Sequence, residues 1–69
     1  MMVTQKKIRL TREREKRGLT KFALGAATNI HPVNIGKFES GRQKPYAPEV
    51  ARLEAFFKIP GDELFREVE

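Results

Sequence analysis

The middle of the 69-residue chain carries a set of hydrogen-bond donors and cations between residues 20 and 44. They belong to Thr20, Lys21, His31, Asn34, Lys37, Arg42, Gln43 and Lys44. Ammonium, guanidinium and hydroxyl groups bind phosphate oxygens, and amide and ammonium groups also reach the edges of bases. These residue types therefore favour binding of a polyanion over reaction at a catalytic centre.

The distribution of charge along the chain supports the same interpretation. Residues 1–46 contain eleven Lys/Arg and three Asp/Glu, a formal charge of +8, whereas residues 47–69 contain three and six, a charge of −3. A basic front and an acidic tail suggest a polyanionic partner on one side of the molecule. The alternative is a solvated basic face that improves solubility.

Several other classes of protein are not expected from this sequence. There is no cysteine and only one histidine, so neither a disulfide framework nor a metal site is indicated. No Ser-His-Asp set, carboxylate pair or phosphate-binding loop is recognisable, so we expect no enzyme and no cofactor. No apolar run approaches the length needed to span a bilayer, and the N-terminus lacks an apolar signal core.

The apolar pattern predicts an all-α domain of five short helices, over residues 6–17, 21–28, 32–40, 48–57 and 62–67. We expect residues 1–5 to be a flexible end and residues 6–69 to form one domain. Asn29 suits a left-handed turn, and Thr20 suits a helix N-cap. Helices two and three are joined by about three residues, which is the geometry of a helix-turn-helix.

Two segments of the chain resemble the Cro/lambda-repressor-like (XRE-type) helix-turn-helix family. They are RGLTKFALGAATNIHPVNIGKFESGRQKP and VARLEAFFKIPGDELF. The matching residues are Arg17-Gly18-Leu19-Thr20, Leu24-Gly25, Asn29-Ile30, Ile35, Glu39-Ser40-Gly41 and Pro45. The resemblance implies a compact five-helix bundle of the lambda-repressor-like DNA-binding domain type. It also implies that helices two and three cross closely at Gly25.

The resemblance implies that the third helix lies in the major groove with its first residues at base edges. The base-contacting positions fall on Pro32, Val33, Asn34 and Lys37. Family members often have Gln, Ser or Arg at the first two positions, whereas Pro32 cannot donate and Val33 can pack on a thymine methyl. Asn34 can read adenine or hold a phosphate, and Lys37 can donate to guanine or to a phosphate.

The phosphate-contacting positions implied by the resemblance are Thr20, Lys21, His31, Arg42, Gln43 and Lys44. Thr20 and Lys21 open the second helix, whose N-terminal amides can bind a phosphate. His31 has a second interpretation as a neutral helix cap. Gly36 either lets DNA approach the backbone or is a neutral surface glycine.

The resemblance further implies an ion pair between Arg14 and Glu39 that holds the third helix against the first. Glu13 departs from the family, in which leucine is more common at this position. The phenylalanines are expected to lie in the core, with one or two of them at a dimer surface as an alternative. They are Phe22, Phe38, Phe56, Phe57 and Phe65.

Taken with the charge, the resemblance implies a sequence-specific DNA-binding transcriptional regulator, first of all a repressor. It would bind double-stranded DNA as a homodimer on a palindromic site, in the cytoplasm and associated with the nucleoid. The alternative is a helix-turn-helix protein-interaction module, like the multiprotein bridging factors or an antitoxin, which Pro32 and Val33 favour. A phage Cro-like protein, an antitoxin and a mobile-element repressor all remain open.

Overall fold

The computed structural model describes residues 7–68, and the flexible end expected at residues 1–5 lies outside this range. The described chain forms five helices: α1 Arg9–Lys16, α2 Lys21–Thr28, α3 Pro32–Ser40, α4 Ala47–Phe57 and α5 Gly61–Leu64. Residues 7–68 contain no β-strand, only an isolated antiparallel bridge between Ile8 and Glu67. The prediction of a compact all-α bundle is confirmed.

One hydrophobic core joins all five helices. Its buried members are Leu10, Leu24, Ile30, Ile35, Phe38, Leu53, Phe57 and Leu64. Each such side chain stabilises the fold by about 1.5–3 kcal/mol relative to an exposed position. Ile8, Ile59 and Phe65 are partly buried against the same core.

The prediction that all five phenylalanines lie in the core is wrong for Phe22 and Phe56. Phe22 is 73% exposed and Phe56 is 37% exposed. Leu24 and Thr28 define the buried side of α2, and Phe22 lies about 200° around the helix from Leu24. Phe56 is exposed but packs edge-on against Phe57, with ring centroids 4.9 Å apart.

The two ends of the described chain are hydrogen-bonded to each other. The Arg9 amide donates to the Arg66 carbonyl at 2.9 Å, and the Val68 amide donates to the Lys7 carbonyl at 2.8 Å. Residues 7–8 are therefore extended, and α1 begins at Arg9 instead of residue 6. For the same reason α5 ends at Leu64, and the helix predicted to continue to residue 67 is shorter.

The connection between α2 and α3 is a tight turn. Asn29 ends α2 in the left-handed conformation, at φ 57° and ψ 42°, as its short polar side chain tolerates. The Ile30 amide then donates to the Gly25 carbonyl at 3.0 Å. A Cβ on Gly25 would overlap the Ile30 carbonyl oxygen and lie 3.3 Å from the Pro32 nitrogen. Glycine is therefore what allows the start of α3 to cross α2 so closely.

Candidate nucleic-acid interface

The start of α2 presents Thr20 and Lys21 to solvent. The Thr20 hydroxyl caps the helix by accepting a hydrogen bond from the Ala23 amide at 3.0 Å. Lys21 extends across to α3, since its Cδ and Nζ atoms lie 3.9 Å from the place where a Cβ on Gly36 would be. Gly36 thus leaves the middle of α3 open to the Lys21 side chain, a contact that sequence reasoning did not anticipate.

The start of α3 is capped by His31, whose Nδ1 accepts a hydrogen bond from the Val33 amide at 3.1 Å. Because Nδ1 is the acceptor, Nε2 is the ring nitrogen that remains able to donate to a phosphate. Pro32 occupies the first helical position and is half-buried. Val33 is 56% exposed, whereas Asn34 is half-buried.

The loop after α3 folds back onto the end of that helix. The Lys37 carbonyl accepts hydrogen bonds from the Arg42 amide at 3.0 Å and the Gln43 amide at 3.4 Å. Gly41, at φ 78°, provides the left-handed turn that this geometry requires. Arg42 and Lys44 are exposed, while Gln43 and Lys37 are half-buried.

Arg14 and Glu39 form a bidentate ion pair between α1 and the end of α3. Arg14 Nε and Nη2 lie 2.7 Å and 3.1 Å from the two Glu39 carboxylate oxygens. Arg14 Nη1 also donates to the Leu19 carbonyl at 2.8 Å. The hydrogen bond to Glu39 raises the pKa of Arg14, so the guanidinium stays charged. One side chain thus joins α1, the loop before α2, and α3.

Among the described residues, the cations of α2, α3 and the following loop have no carboxylate partner. We call Lys21, Lys37, Arg42 and Lys44 the basic surface. Within residues 7–68 no carboxylate oxygen lies within 4 Å of their side-chain nitrogens. Glu39 is the one carboxylate in residues 20–46, and Arg14 neutralises it. The segment therefore presents uncompensated positive charge to solvent.

Cations in and next to α1 form ion pairs with carboxylates, unlike those of the basic surface. Glu13 is buried, and its carboxylate lies 2.7 Å from Arg17, 3.4 Å from Arg9 and 3.9 Å from Lys16. The hydrogen bond from Arg17 is the main reason that the pKa of Glu13 is lowered. The Arg17 guanidinium also lies over the Phe57 ring, 4.8 Å from its centroid. Arg9 reaches Glu63 of α5 at 2.8 Å.

This cluster explains the glutamate found where the family more often has leucine. It was not foreseen, although Arg9 and Arg17 at four-residue spacing on either side of Glu13 were a signal for it. It fixes α1 against α4 and α5, so the cations of this cluster are paired, whereas those of the basic surface have no carboxylate partner within residues 7–68.

Two further properties bear on the class of site. Among residues 7–68 no group of three or more His, Asp or Glu side chains is arranged to hold a metal ion. Over the same residues, no helix combines the length and the apolar character needed to cross a bilayer.

The helix pair, the left-handed turn and the basic surface together define a helix-turn-helix protein. A family model described as a helix-turn-helix domain matches residues 8–66. The chain therefore belongs to this family of XRE/Cro-like helix-turn-helix domains, which confirms the resemblance seen in the sequence. No curated protein and no solved structure matches the chain. Membership of the family points to DNA binding.

Proposed function

We propose that the protein is a sequence-specific DNA-binding transcriptional regulator that acts as a repressor. In this proposal α3 lies in the major groove with Pro32, Val33, Asn34 and Lys37 at the base edges. The supporting observation is the basic surface, whose four cations have no carboxylate partner within residues 7–68. Such cations are free to replace the counterions that surround DNA phosphates.

The proposed mode of action is occupation of a promoter by the bound protein. A protein bound across a promoter excludes polymerase without any other surface, which is why we propose repression. We further propose that it binds a palindromic site as a homodimer, with half-sites about 10 base pairs apart. It would act by binding alone, without catalysing a reaction, in the cytoplasm with the nucleoid.

The first experiment is selection of duplexes from a random DNA pool, followed by affinity measurements at two salt concentrations. We expect an enriched palindrome for which the affinity of the protein falls steeply as salt rises, because each phosphate contact releases a counterion. No enrichment and no binding at low salt would overturn it.

A matched pair of arginine variants makes the test sharper. Arg42→Ala removes one cation of the basic surface and should reduce the slope of log affinity against log salt by about 1. Arg52→Ala removes an exposed cation from α4 and should leave that slope unchanged. Equal effects of the two variants would show that net charge, and not this surface, controls binding.

Protein interaction is the second candidate function, and an apolar groove beside the turn favours it. The groove has a volume of about 370 Å³ and is lined by Phe22, Gly25, Ala26, Asn29, Ile30, His31 and Pro32. Phe22, at 73% exposure, leaves a large apolar side chain facing solvent there. Failure to bind any duplex at low salt, from a folded protein, would favour this candidate over the regulator.

A further inference from the structure

A second groove is lined by the end of α3, the loop at residues 41–45, α4 and α5. Its volume is about 650 Å³, which is in the range of sites that bind small molecules. Its apolar lining includes the buried Phe38 and three half-buried residues, Ile8, Val50 and Phe65. Two of these side chains are aromatic, and aromatic faces attract cations as well as apolar groups. The groove can therefore hold the apolar body of a ligand.

Most of the charged residues that line this groove are acidic, and we call it the acidic groove. Glu54, Asp62 and Glu67 contribute three carboxylates. Lys44 contributes one ammonium, so the lining has a formal charge of −2 in a chain of net charge +5. Within residues 7–68 no cation lies within 4 Å of the carboxylate oxygens of Glu54 or Asp62. The groove therefore attracts positive charge that its own lysine does not neutralise.

The Glu54 carboxylate is held in place by the start of α5. Its Oε2 accepts a hydrogen bond from the Gly61 amide at 2.6 Å. Its Oε1 has no hydrogen-bond partner within residues 7–68 and is open to solvent. A Cβ on Gly61 would lie only 2.6 Å from Val50 Cγ1, so α5 begins in close contact with α4. The acidic groove thus presents a preformed carboxylate beside apolar surface, which reduces the entropy lost when a cation binds.

A ligand that matches this lining has an apolar body and one positive charge. The body would replace water at Phe38, Val50 and Phe65, and the charge would lie among the carboxylates. We propose that the acidic groove binds a small organic cation of the arylalkylammonium class. Apart from Lys44, this site shares no residue with the basic surface, and the inference does not depend on DNA binding.

The test is a titration of the full chain with naphthylmethylammonium chloride at constant ionic strength, followed by backbone amide chemical shifts in NMR spectra. The largest shifts should occur at Val50, Gly61 and Phe65, with a dissociation constant of about 1 mM, which is typical of a probe of this size. Naphthylmethanol has nearly the same shape without the charge. It should bind about threefold more weakly, which is the effect of one exposed ion pair. Naphthoate, which carries the opposite charge, should bind more weakly still.

Three variants assign the effect of charge to the acidic groove. Asp62→Asn removes one carboxylate and should weaken binding of the cation about threefold, while binding of naphthylmethanol stays the same. Lys44→Ala removes the ammonium and should strengthen binding of the cation by a similar factor. Glu49→Gln is the matched control, because it removes a carboxylate of α4 that does not line the groove, and it should leave binding unchanged. Asp62 and Lys44 are exposed, so their variants should unfold at the same temperature as the original protein, which thermal unfolding checks.

Three results would overturn this inference. The first is that naphthylmethanol binds as tightly as the cation, or that Asp62→Asn and Glu49→Gln have equal effects. The second is that the shifts are confined to the groove beside Phe22, which would mean that the probe binds a different apolar surface. The third is binding that requires removal of residues 1–6, which would show that this segment of the chain occupies the acidic groove. Because the titration contains no DNA, failure of the DNA selection would overturn the proposed function and leave this inference standing.

Discussion

Gly25 and Gly36 both lie inside helices, yet alanine at these two positions should change stability in opposite directions. Replacing a glycine within a helix by alanine normally stabilises a protein by about 1 kcal/mol. At Gly36 the new Cβ would be 3.9 Å from the Lys21 side chain, an ordinary contact with a flexible neighbour. Gly36→Ala should therefore keep the whole gain and raise the unfolding midpoint by about 4–8 °C.

At Gly25 the surroundings are rigid. The Cβ would overlap the Ile30 carbonyl oxygen and lie 3.3 Å and 3.4 Å from the Pro32 nitrogen and Cδ. These are atoms of the turn and of a proline ring, so they cannot move aside by a change of rotamer. Overpacking of this kind costs about 1–3 kcal/mol. Since the backbone itself must shift, we take the upper end and expect a net loss of about 2 kcal/mol after subtracting the propensity gain.

Urea and thermal unfolding followed by circular dichroism at 222 nm would measure both variants against the original protein. Gly36→Ala is the matched control, because it makes the same chemical change in the neighbouring helix. The reasoning is refuted if Gly25→Ala is as stable as the original protein, or if both variants shift in the same direction. The first result would mean that α2 and α3 do not cross as closely as described.

Three other perturbations follow from the ion pairs and the helix ends. Arg14→Ala or Glu39→Ala should each lose about 3–5 kcal/mol of unfolding free energy, because the remaining charge is left nearly buried. The double variant should lose less than the sum of the two, and additivity in urea unfolding would contradict their coupling. Arg17 lowers the pKa of Glu13, so the stability that Glu13 contributes is fully present above the ordinary carboxyl pKa and is lost as the pH falls through the lowered one. Glu13→Gln should thus show a weaker loss of unfolding free energy on acidification, and an unchanged pH profile would contradict this assignment. Lys58 ends α4 at φ 59°, so Lys58→Gly should stabilise the protein by about 0.5–1 kcal/mol by relieving a left-handed conformation. A lower midpoint for that variant in urea would show that the lysine side chain contributes more than the backbone strain costs.

Local sequence signals were sufficient to predict where α2 and α3 begin and end. Thr20, Asn29 and Pro32 each have a conformational preference that acts within a few residues, and α2 and α3 begin and end where these preferences predict. Helix α4 begins at Ala47, one residue before the prediction, because the Tyr46 amide is capped by the Glu49 carboxylate at 2.8 Å.

The lengths of α1 and α5 depend on long-range contacts that the apolar pattern of the sequence does not predict. The pairing of residues 7–9 with 66–68 joins segments almost a chain length apart, so nothing local limits α1 and α5 to their observed lengths. Phe22 was misplaced for a related reason, since composition indicates an apolar side chain but not which side of α2 faces the core.

The position of the candidate site was predictable from the sequence, but the pairing of its cations with carboxylates was not. Motif spacing located α3 and the loop after it. Which cations remain unpaired depends on partners such as Glu63, 54 residues from Arg9, and these partners become apparent only in the folded chain. The pair of Arg14 with Glu39 was anticipated only through the family resemblance.

The hydrogen bond between Lys7 and Val68 has a consequence for protein engineering. It places the first and last described residues of the domain side by side. A segment whose ends are adjacent can be inserted into a surface loop of another protein without forcing that loop apart. The same adjacency would let a short peptide join residue 68 to residue 7 directly, so that new chain ends could be opened at the loop between α4 and α5 while α2, α3 and their turn stay uninterrupted.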